Sequence, residues 1–425
     1  MAIPAVVLVD GEHYPPVTQA AIATLEERGY RVVAALFLGG AEKTVAPPDL
    51  GVPMTVGEPE EKLAGVIAEY RPEVVLDLSD EPVVGYRRRM GLAAQALLAG
   101  VAYQGADFRL EPPPRPRLTD LPTVAVVGTG KRTGKTSVSI ELARHWREER
   151  RPCIVTMGRG GPAEAVVLQA EDFEPGPTAL TAMAARGLHA ASDYVEDALF
   201  AGVDTVGTRR CGAGLAGATV TDNFSLGVEA AHTLHPDLLI YEGSGTALPP
   251  AFSDATVLVM MTDLDPEYLR GYLGPYRLEL ADVVVALETG AGLLGIRQAI
   301  AEVAAELPIL AGRLAPEPST TIEGRRVLLV TTARPEVGAV LRAGLEGQGA
   351  RRVHTIHSLG DRRHLAADLE AAPEVETLLV EVKAAAVDVV LPWAEARGIE
   401  AGFLHNRVEL EEGVEGLARL VEAKW

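Results

Sequence analysis

Cysteine is nearly absent: Cys153 and Cys211 are the only two in 425 residues. That is too few for a disulfide framework and suits a reducing compartment. Positive charge is also short, with 39 lysines and arginines against 59 acids and a formal net charge of −20. A chain this acidic is a poor partner for nucleic acid or an anionic membrane surface. No run approaches the roughly 18 uninterrupted apolar residues that a membrane helix needs. The apolar stretch Ile3 to Val9 breaks at Asp10-Gly-Glu-His13 and has no basic leader, so it reads as a first strand and not as a signal peptide. We therefore expect a cytoplasmic protein with no nucleic-acid and no membrane partner. Zinc-type His/Cys spacing, a nucleophile elbow and a Ser/His/Asp constellation are all missing, which argues against zinc-site and serine-hydrolase chemistry.

What remains is a chain that is 48% hydrophobic and poor in aromatics, the composition of a packed α/β protein. Its length predicts two or three domains. Residues 1–118 alternate strand and helix: Ala5–Val9, helix Val17–Arg28, Arg31–Phe37, helix Glu60–Tyr70, Val74–Leu78 and helix Arg89–Ala99. Such βαβ alternation implies a Rossmann-like parallel sheet with ligands at the carboxyl ends of its strands. The clusters Asp10-Gly-Glu-His-Tyr14, Gly39-Gly-Ala-Glu-Lys43 and Asp77-Leu-Ser-Asp-Glu81 fall at those ends, and Arg87-Arg-Arg89 opens a helix. Each cluster alone reads as loop solvation, and three adjacent arginines as a solvated face; together at one edge they suggest a cleft for a multiply charged anion. The stiff spacer Glu111-Pro-Pro-Pro-Arg-Pro116 marks the first boundary.

Residues 119–318 carry the strongest signal. Val124-Ala-Val-Val127, then Gly128-Thr-Gly-Lys-Arg-Thr-Gly-Lys-Thr136, then the helical run from Ser137 read as strand, phosphate-binding loop and helix. Glycines let backbone N–H groups turn onto phosphate oxygens, and the helix N-terminus adds its positive dipole end. Gly128, Thr129, Gly130, Lys131, Arg132, Thr133, Gly134, Lys135, Thr136 and Ser137 are the expected nucleotide contacts. Lys135 would reach the β- and γ-phosphates and Thr136 would sit on Mg²⁺. Lysine is scarce relative to arginine, yet Lys131 and Lys135 share this one loop. The first glycine stands one place earlier than the strict pattern requires, and this Gly-x5-Gly-Lys-Thr spacing resembles the loop of dethiobiotin synthetase.

Further along, Met157-Gly-Arg-Gly-Gly-Pro162 holds Arg159 at a strand end, either as a phosphate contact or within a plain glycine turn. Arg209 and Arg210 sit in a glycine-rich segment that serves close packing or faces transferred phosphate. The strand Asp237-Leu-Leu-Ile-Tyr-Glu-Gly-Ser-Gly245 ends in a carboxylate, as P-loop proteins require to hold or orient Mg²⁺, so Glu242 is the metal-side candidate. Its Glu-Gly-Ser-Gly run resembles the Glu-Gly-Ala-Gly-Gly of dethiobiotin synthetase. Strands Ala255–Met261 and Asp282–Leu287 end in loops that could read the base, and the absence of an Asn-Lys-x-Asp guanine motif favours ATP. Residues 319–425 alternate again and predict a third, small α/β domain whose strand-end residues, among them Thr331, Thr332, His357, Lys383 and His405, serve a ligand or a domain contact.

The opening Leu8-Val-Asp-Gly-Glu-His-Tyr-Pro-Pro-Val17, Phe37-Leu-Gly-Gly-Ala-Glu-Lys43, the loop at 128–136 and Met157–Pro162 together resemble the cyclic 2,3-diphosphoglycerate synthetase family. The resemblance implies an α/β protein in which a central P-loop, mostly parallel sheet is flanked by smaller N- and C-terminal α/β domains. It implies an enzyme that uses ATP and Mg²⁺ to close a phosphoanhydride in 2,3-diphosphoglycerate, releasing ADP and phosphate. Lys135, Lys131 and Arg159 would then be catalytic, and Asp10, Glu12, His13, Arg87, Arg88, Arg89, Arg159, Arg209 and Arg210 would meet the substrate. We expect a homo-oligomer, a dimer. The competing readings are a kinase of a phosphoglycerate-type molecule such as 2-phosphoglycerate, and a P-loop GTPase switch.

Overall fold

In the computed structural model, residues 2–40, 42–43, 47–171, 176–185, 193–288, 290, 292–384 and 386–425 are described. Ala41, a member of one of the strand-end clusters above, lies outside the described residues. The chain forms two compact units, one of residues 1–114, 265–280 and 295–307, the other of 115–264, 281–294 and 308–425. Among the described residues no helix is long and apolar enough to cross a membrane.

The first unit begins with β1 (Ile3–Val9), α1 (Pro15–Glu27), β2 (Tyr30–Phe37), β3 (Met54–Val56), α2 (Pro59–Tyr70), β4 (Val74–Asp77), α3 (Tyr86–Leu98), β5 (Ala102–Gln104) and β6 (Arg109–Leu110). Proline near the first helical position starts α1 and α2, where its missing N–H costs nothing. The sheet runs β3-β2-β1-β4-β5-β6, parallel apart from the last pair. Chain order reverses on either side of β1, so Asp10 just beyond it lies at a topological switch point. The short strands β3, β5 and β6 are invisible to periodicity because two or three residues carry no period.

In the second unit the chain forms β7 (Thr123–Gly128), α4 (Lys135–Trp146), β8 (Pro152–Gly158), β9 (Val166–Leu168), α5 (Pro177–Ala185), α6 (Asp193–Ala201), β10 (Asp204–Cys211), β11 (Thr221–Asp222), α7 (Phe224–His232), β12 (Leu238–Glu242) and β13 (Ala255–Met261). α8 (Glu267–Arg270), α9 (Gly274–Leu280) and most of α10 (Leu293–Val303) return to the first unit, and β14 (Val283–Leu287) comes between them. The second unit then continues with β15 (Ile309–Pro318), β16 (Arg326–Val330), α11 (Pro335–Gly347), β17 (Arg352–Ile356), α12 (Arg362–Glu370), β18 (Thr377–Val380), α13 (Leu391–Glu395), β19 (Glu400–Leu410) and α14 (Gly413–Glu422).

β7, β12 and β14 are buried at every position, as strands covered by helices on both faces must be. The strand path is β11-β10-β8-β12-β7-β13-β14-β15-β19-β18-β16-β17. β7 has β12 on one side and β13 on the other, so its carboxyl end is a switch point. The strands of residues 319–425 continue the same sheet, joined through the antiparallel pair β15 and β19. That pairing carries β19 on to Leu410: residues 404–410 bond to 312–318.

His405 on β19 is wholly buried, stacked on Phe200 with ring centroids 4.7 Å apart, and neither ring nitrogen has a hydrogen-bond partner. Burial, reinforced by Arg144, Lys383 and Arg407, pushes its pKa down to about 3. It is therefore neutral in the native protein and gains a proton only on unfolding at mildly acid pH. Stability should be lost as pH falls below 6.5, the ordinary histidine value, by about 2 kcal/mol at pH 5. Thermal melts at pH 7 and pH 5 should show a smaller acid-induced drop for His405→Phe than for the wild type; equal drops would refute this account.

Candidate active site

At the carboxyl end of β7 the backbone turns through Gly128–Thr136 into α4. Gly134, with φ +90°, occupies the left-handed region, and a Cβ there would lie 2.3 Å from Leu287 Cδ1. Arg132 also takes a positive φ, 63°, unusual for a residue with a side chain. At Gly128 a Cβ would stand 2.5 Å from Thr133 Oγ1 and 3.1 Å from Lys135 Nζ, so the lysine lies folded along its own loop. Lys135 Nζ donates to the Gly130 carbonyl at 2.8 Å. It is almost wholly buried, and burial lowers its pKa to about 8 against the pull of Glu242 and Asp193. Lys131 is lowered as well, by burial and then by Arg132 and Arg159 beside it.

β12 brings the second half. It pairs with β7 in register, Glu242 opposite Val126, so Glu242 emerges next to the loop. Thr136 Oγ1 donates to Glu242 Oε1 at 2.6 Å. Burial, then Asp193, pushes Glu242 up to about 8, while the Thr136 hydrogen bond and Lys135 oppose the rise. Oε2 of Glu242 is buried without a hydrogen-bond partner. A hydroxyl, a carboxylate and one orphaned oxygen at a helix N-terminus form a hard donor set that fits Mg²⁺, a cation usually held by one or two carboxylates with phosphate and water. Among the described residues no three His, Cys, Asp or Glu side chains are arranged to enclose a metal.

Past Glu242 the chain turns through Gly243-Ser-Gly245. A Cβ on Gly245 would lie 2.6 Å from Arg159 Nη2 and 3.3 Å from Arg210 Nη2, so two guanidinium groups cover this glycine. Arg210 is anchored by donating to the carbonyls of Ser244 at 2.6 Å and Gly212 at 2.8 Å. Arg159 is exposed. Adjacent residues of β10 point to opposite faces, so Arg209 is exposed where Arg210 is buried, and Asn223 fixes the Arg209 backbone N–H at 2.7 Å. The loop, Glu242, Arg159 and Arg210 are thus brought together, with Ser137 buried in the first turn of α4.

The other six candidates belong to the first unit. Asp10 accepts from the backbone N–H of Glu12 at 3.1 Å and of Asp80 at 2.7 Å, and its Oδ1 lies 2.7 Å from His13 Nδ1. The three arginines all have carboxylate partners: Arg87 pairs with Glu267, Arg88 with Glu60 at 2.7 Å, and Arg89 with buried Asp77 at 2.8 Å. Asp77 also accepts the Tyr103 hydroxyl at 2.7 Å.

Sequence reading named Lys383 as a strand-end residue with a ligand or a domain contact as its role, but missed the acids around it. On α6, Asp193 acts on both loop lysines and on Glu242, and Asp197 on Glu242, while Glu196 and, after β18, Glu381 act on Lys383, whose charge bears in turn on the loop lysines. Glu381 is buried, accepting from Thr332 N at 2.8 Å and Asn406 Nδ2 at 2.9 Å. Burial alone would lower Lys383, but Glu196, Glu381 and Asp193 outweigh it and hold the ammonium above its ordinary range. Ala384, with φ 50°, follows this lysine in a conformation that a side-chain-bearing residue rarely adopts.

Three family models match the chain: "Cyclic 2,3-diphosphoglycerate synthetase, N-terminal domain" over residues 4–111, the "P-loop domain" of the same name over 123–306, and its "C-terminal domain" over 318–407. A protein named cyclic 2,3-diphosphoglycerate synthetase from Rubrobacter xylanophilus is 43% identical over 98% of this chain and 96% of its own. One of that name from Thermococcus kodakarensis is 41% identical over 94% of each. Among solved structures, LpxK from Aquifex aeolicus, in complex with ATP, aligns with 15% identity and a TM-score of 0.43 over 73% of this chain and 90% of its own.

Gly134→Ala should destabilise the loop, since the new methyl meets both a strained φ and Leu287. Nucleotide affinity measured by calorimetry should fall roughly tenfold or more, in line with about 1–3 kcal/mol of backbone strain. Wild-type affinity in this variant would contradict the geometry.

Proposed function

Because the chain belongs to the cyclic 2,3-diphosphoglycerate synthetase family, we propose that it uses ATP and Mg²⁺ to close an intramolecular phosphoanhydride in 2,3-diphosphoglycerate, releasing ADP and phosphate. The observation that carries this reading is the match of all three parts of the family across nearly the whole chain. Lys135 and the Thr136–Glu242 pair at the sheet's switch point support it chemically.

In this mechanism the loop backbone and the Lys135 ammonium hold the β- and γ-phosphates of ATP, with Lys131 and Arg159 offsetting charge at the transferred group. Thr136 and Glu242 would hold Mg²⁺, which when bound would draw charge from the phosphate oxygens. One substrate phosphate attacks the γ-phosphorus and ADP leaves. The second substrate phosphate then attacks the phosphorus of the first, closes the ring and expels inorganic phosphate. Arg210, anchored through Ser244 and Gly212, and Arg159 hold the crowded phosphates, and Arg209 offers a further exposed cation. Prealigning two phosphates contributes roughly 7–11 kcal/mol through proximity. We assign residues 119–318 to the nucleotide and the Asp10–His13 edge of residues 1–118, with Arg87, Arg88 and Arg89, to the substrate side. For these three arginines that role requires exchange of a carboxylate partner for phosphate.

Phosphorus NMR of the protein with ATP, Mg²⁺ and 2,3-diphosphoglycerate should show a new anhydride resonance together with inorganic phosphate. A phosphorylated linear product from 2-phosphoglycerate without phosphate release would replace this reading with a kinase. Lys135→Ala should cut turnover roughly 10²-fold or more while far-UV circular dichroism is unchanged; near-wild-type turnover would remove the loop from catalysis. Glu242→Gln should raise the Mg²⁺ concentration for half-maximal rate, and an unchanged Mg²⁺ dependence would count against its metal role.

A further inference from the structure

α6 carries two adjacent acids, Glu196 and Asp197, both almost wholly buried, and the fold treats them unequally. Glu196 has a cation of its own, with Lys383 Nζ 3.3 Å from its Oε2. Asp197 is 0% exposed and neither of its oxygens has a hydrogen-bond partner. The charges that bear most on it, Glu242, Asp193 and Glu196, share its sign.

Glu242 is left in a matching state. Oε1 takes the Thr136 hydroxyl, and Oε2 is buried without a partner. The nearby ammonium groups are engaged elsewhere: Lys135 Nζ donates to the Gly130 carbonyl at 2.8 Å, and Lys383 sits on Glu196. Asp197 and Glu242 therefore face each other in a dry place, within hydrogen-bonding reach of each other, and no N–H or hydroxyl group donates to their three remaining oxygens. A buried carboxylate without a counter-charge is strongly unfavourable, and two facing each other are more so. An oxygen-only set of two carboxylates and a hydroxyl matches a small, hard divalent cation.

We propose that Asp197 is the second carboxylate of the divalent-cation site, facing Glu242 beside Thr136 Oγ1. The proposal rests on the reading of Thr136 and Glu242 as metal-side groups and adds a ligand from a helix that no phosphate-loop motif marks. Two carboxylates neutralise a dication that one would leave with net positive charge. The Glu196–Lys383 pair fixes the turn of α6 that aims Asp197, so a residue following β18 positions a group of the nucleotide site.

The test is a Mn²⁺ titration read by electron paramagnetic resonance on the full chain with ADP present. It compares wild type, Asp197→Asn, Asp197→Ser and Glu242→Gln. Both Asp197 variants should weaken Mn²⁺ binding roughly tenfold or more, as Glu242→Gln does. Their metal-free melting temperature should be equal to or above that of the wild type, because an uncompensated buried charge has been removed. If the Asp197 variants bind Mn²⁺ as the wild type does while Glu242→Gln does not, Asp197 is no ligand and the Thr136–Glu242 reading stands. If none of the three weakens Mn²⁺, both fall. A metal-free melting temperature that drops in both Asp197 variants with Mn²⁺ affinity intact would assign Asp197 a purely structural role.

Discussion

The hydrogen bond from Thr136 to Glu242 joins the first turn of α4 to the end of β12, and the polar half of the site is arranged about it. It exists because β7 and β12 are neighbours in register, which puts a strand-terminal carboxylate beside the helix N-terminus that follows the loop. A buried acid in that position is costly, as its raised pKa records. The surrounding residues are best understood as responses to that cost. Lys135 lies close enough to act on Glu242 while donating to its own loop, and Arg159 and Arg210 gather over Gly245, where a side chain would exclude them.

The same constraint gives the last third of the chain a place in the site. Its strands extend the sheet of the P-loop strands across the antiparallel β15–β19 pair, so β18 runs opposite to β7; because residues 400–403 of β19 meet β18 and 404–410 meet β15, the carboxyl end of β18 is turned toward the carboxyl ends of the P-loop strands. Lys383, held between Glu196 and Glu381, is delivered there on a strained turn. Strain of this kind persists where surrounding contacts over-determine it, here a lysine gripped by acids from two separate elements.

In the first unit the switch point at the end of β1 holds a different balance. Asp10 is satisfied by backbone N–H groups and His13, and the arginines of α3 are matched by acids. Charge there is stored in pairs. In the loop, by contrast, the cations are crowded together and lowered by burial.

Local order was largely legible in the sequence. The strand–loop–helix of 124–146, the strand that ends at Glu242 and the βα alternation of both ends depend on spacing of a few residues, and the distinctive opening segments already pointed to the family. Tertiary structure decided what spacing cannot encode. That Arg210 turns inward and Arg209 outward follows from β10 being a strand, which its glycine-rich end concealed. That Arg87, Arg88 and Arg89 are engaged by acids follows from a strand and two helices that lie up to 180 residues away in the chain. Asp197 carries no motif: it is one acid on an acidic protein until the crossover from β8 to β10 lays α6 against α4 and beside Glu242. Sequence dictates the elements because their hydrogen bonds are local, whereas sheet order, a long-range choice, dictates which side chains meet.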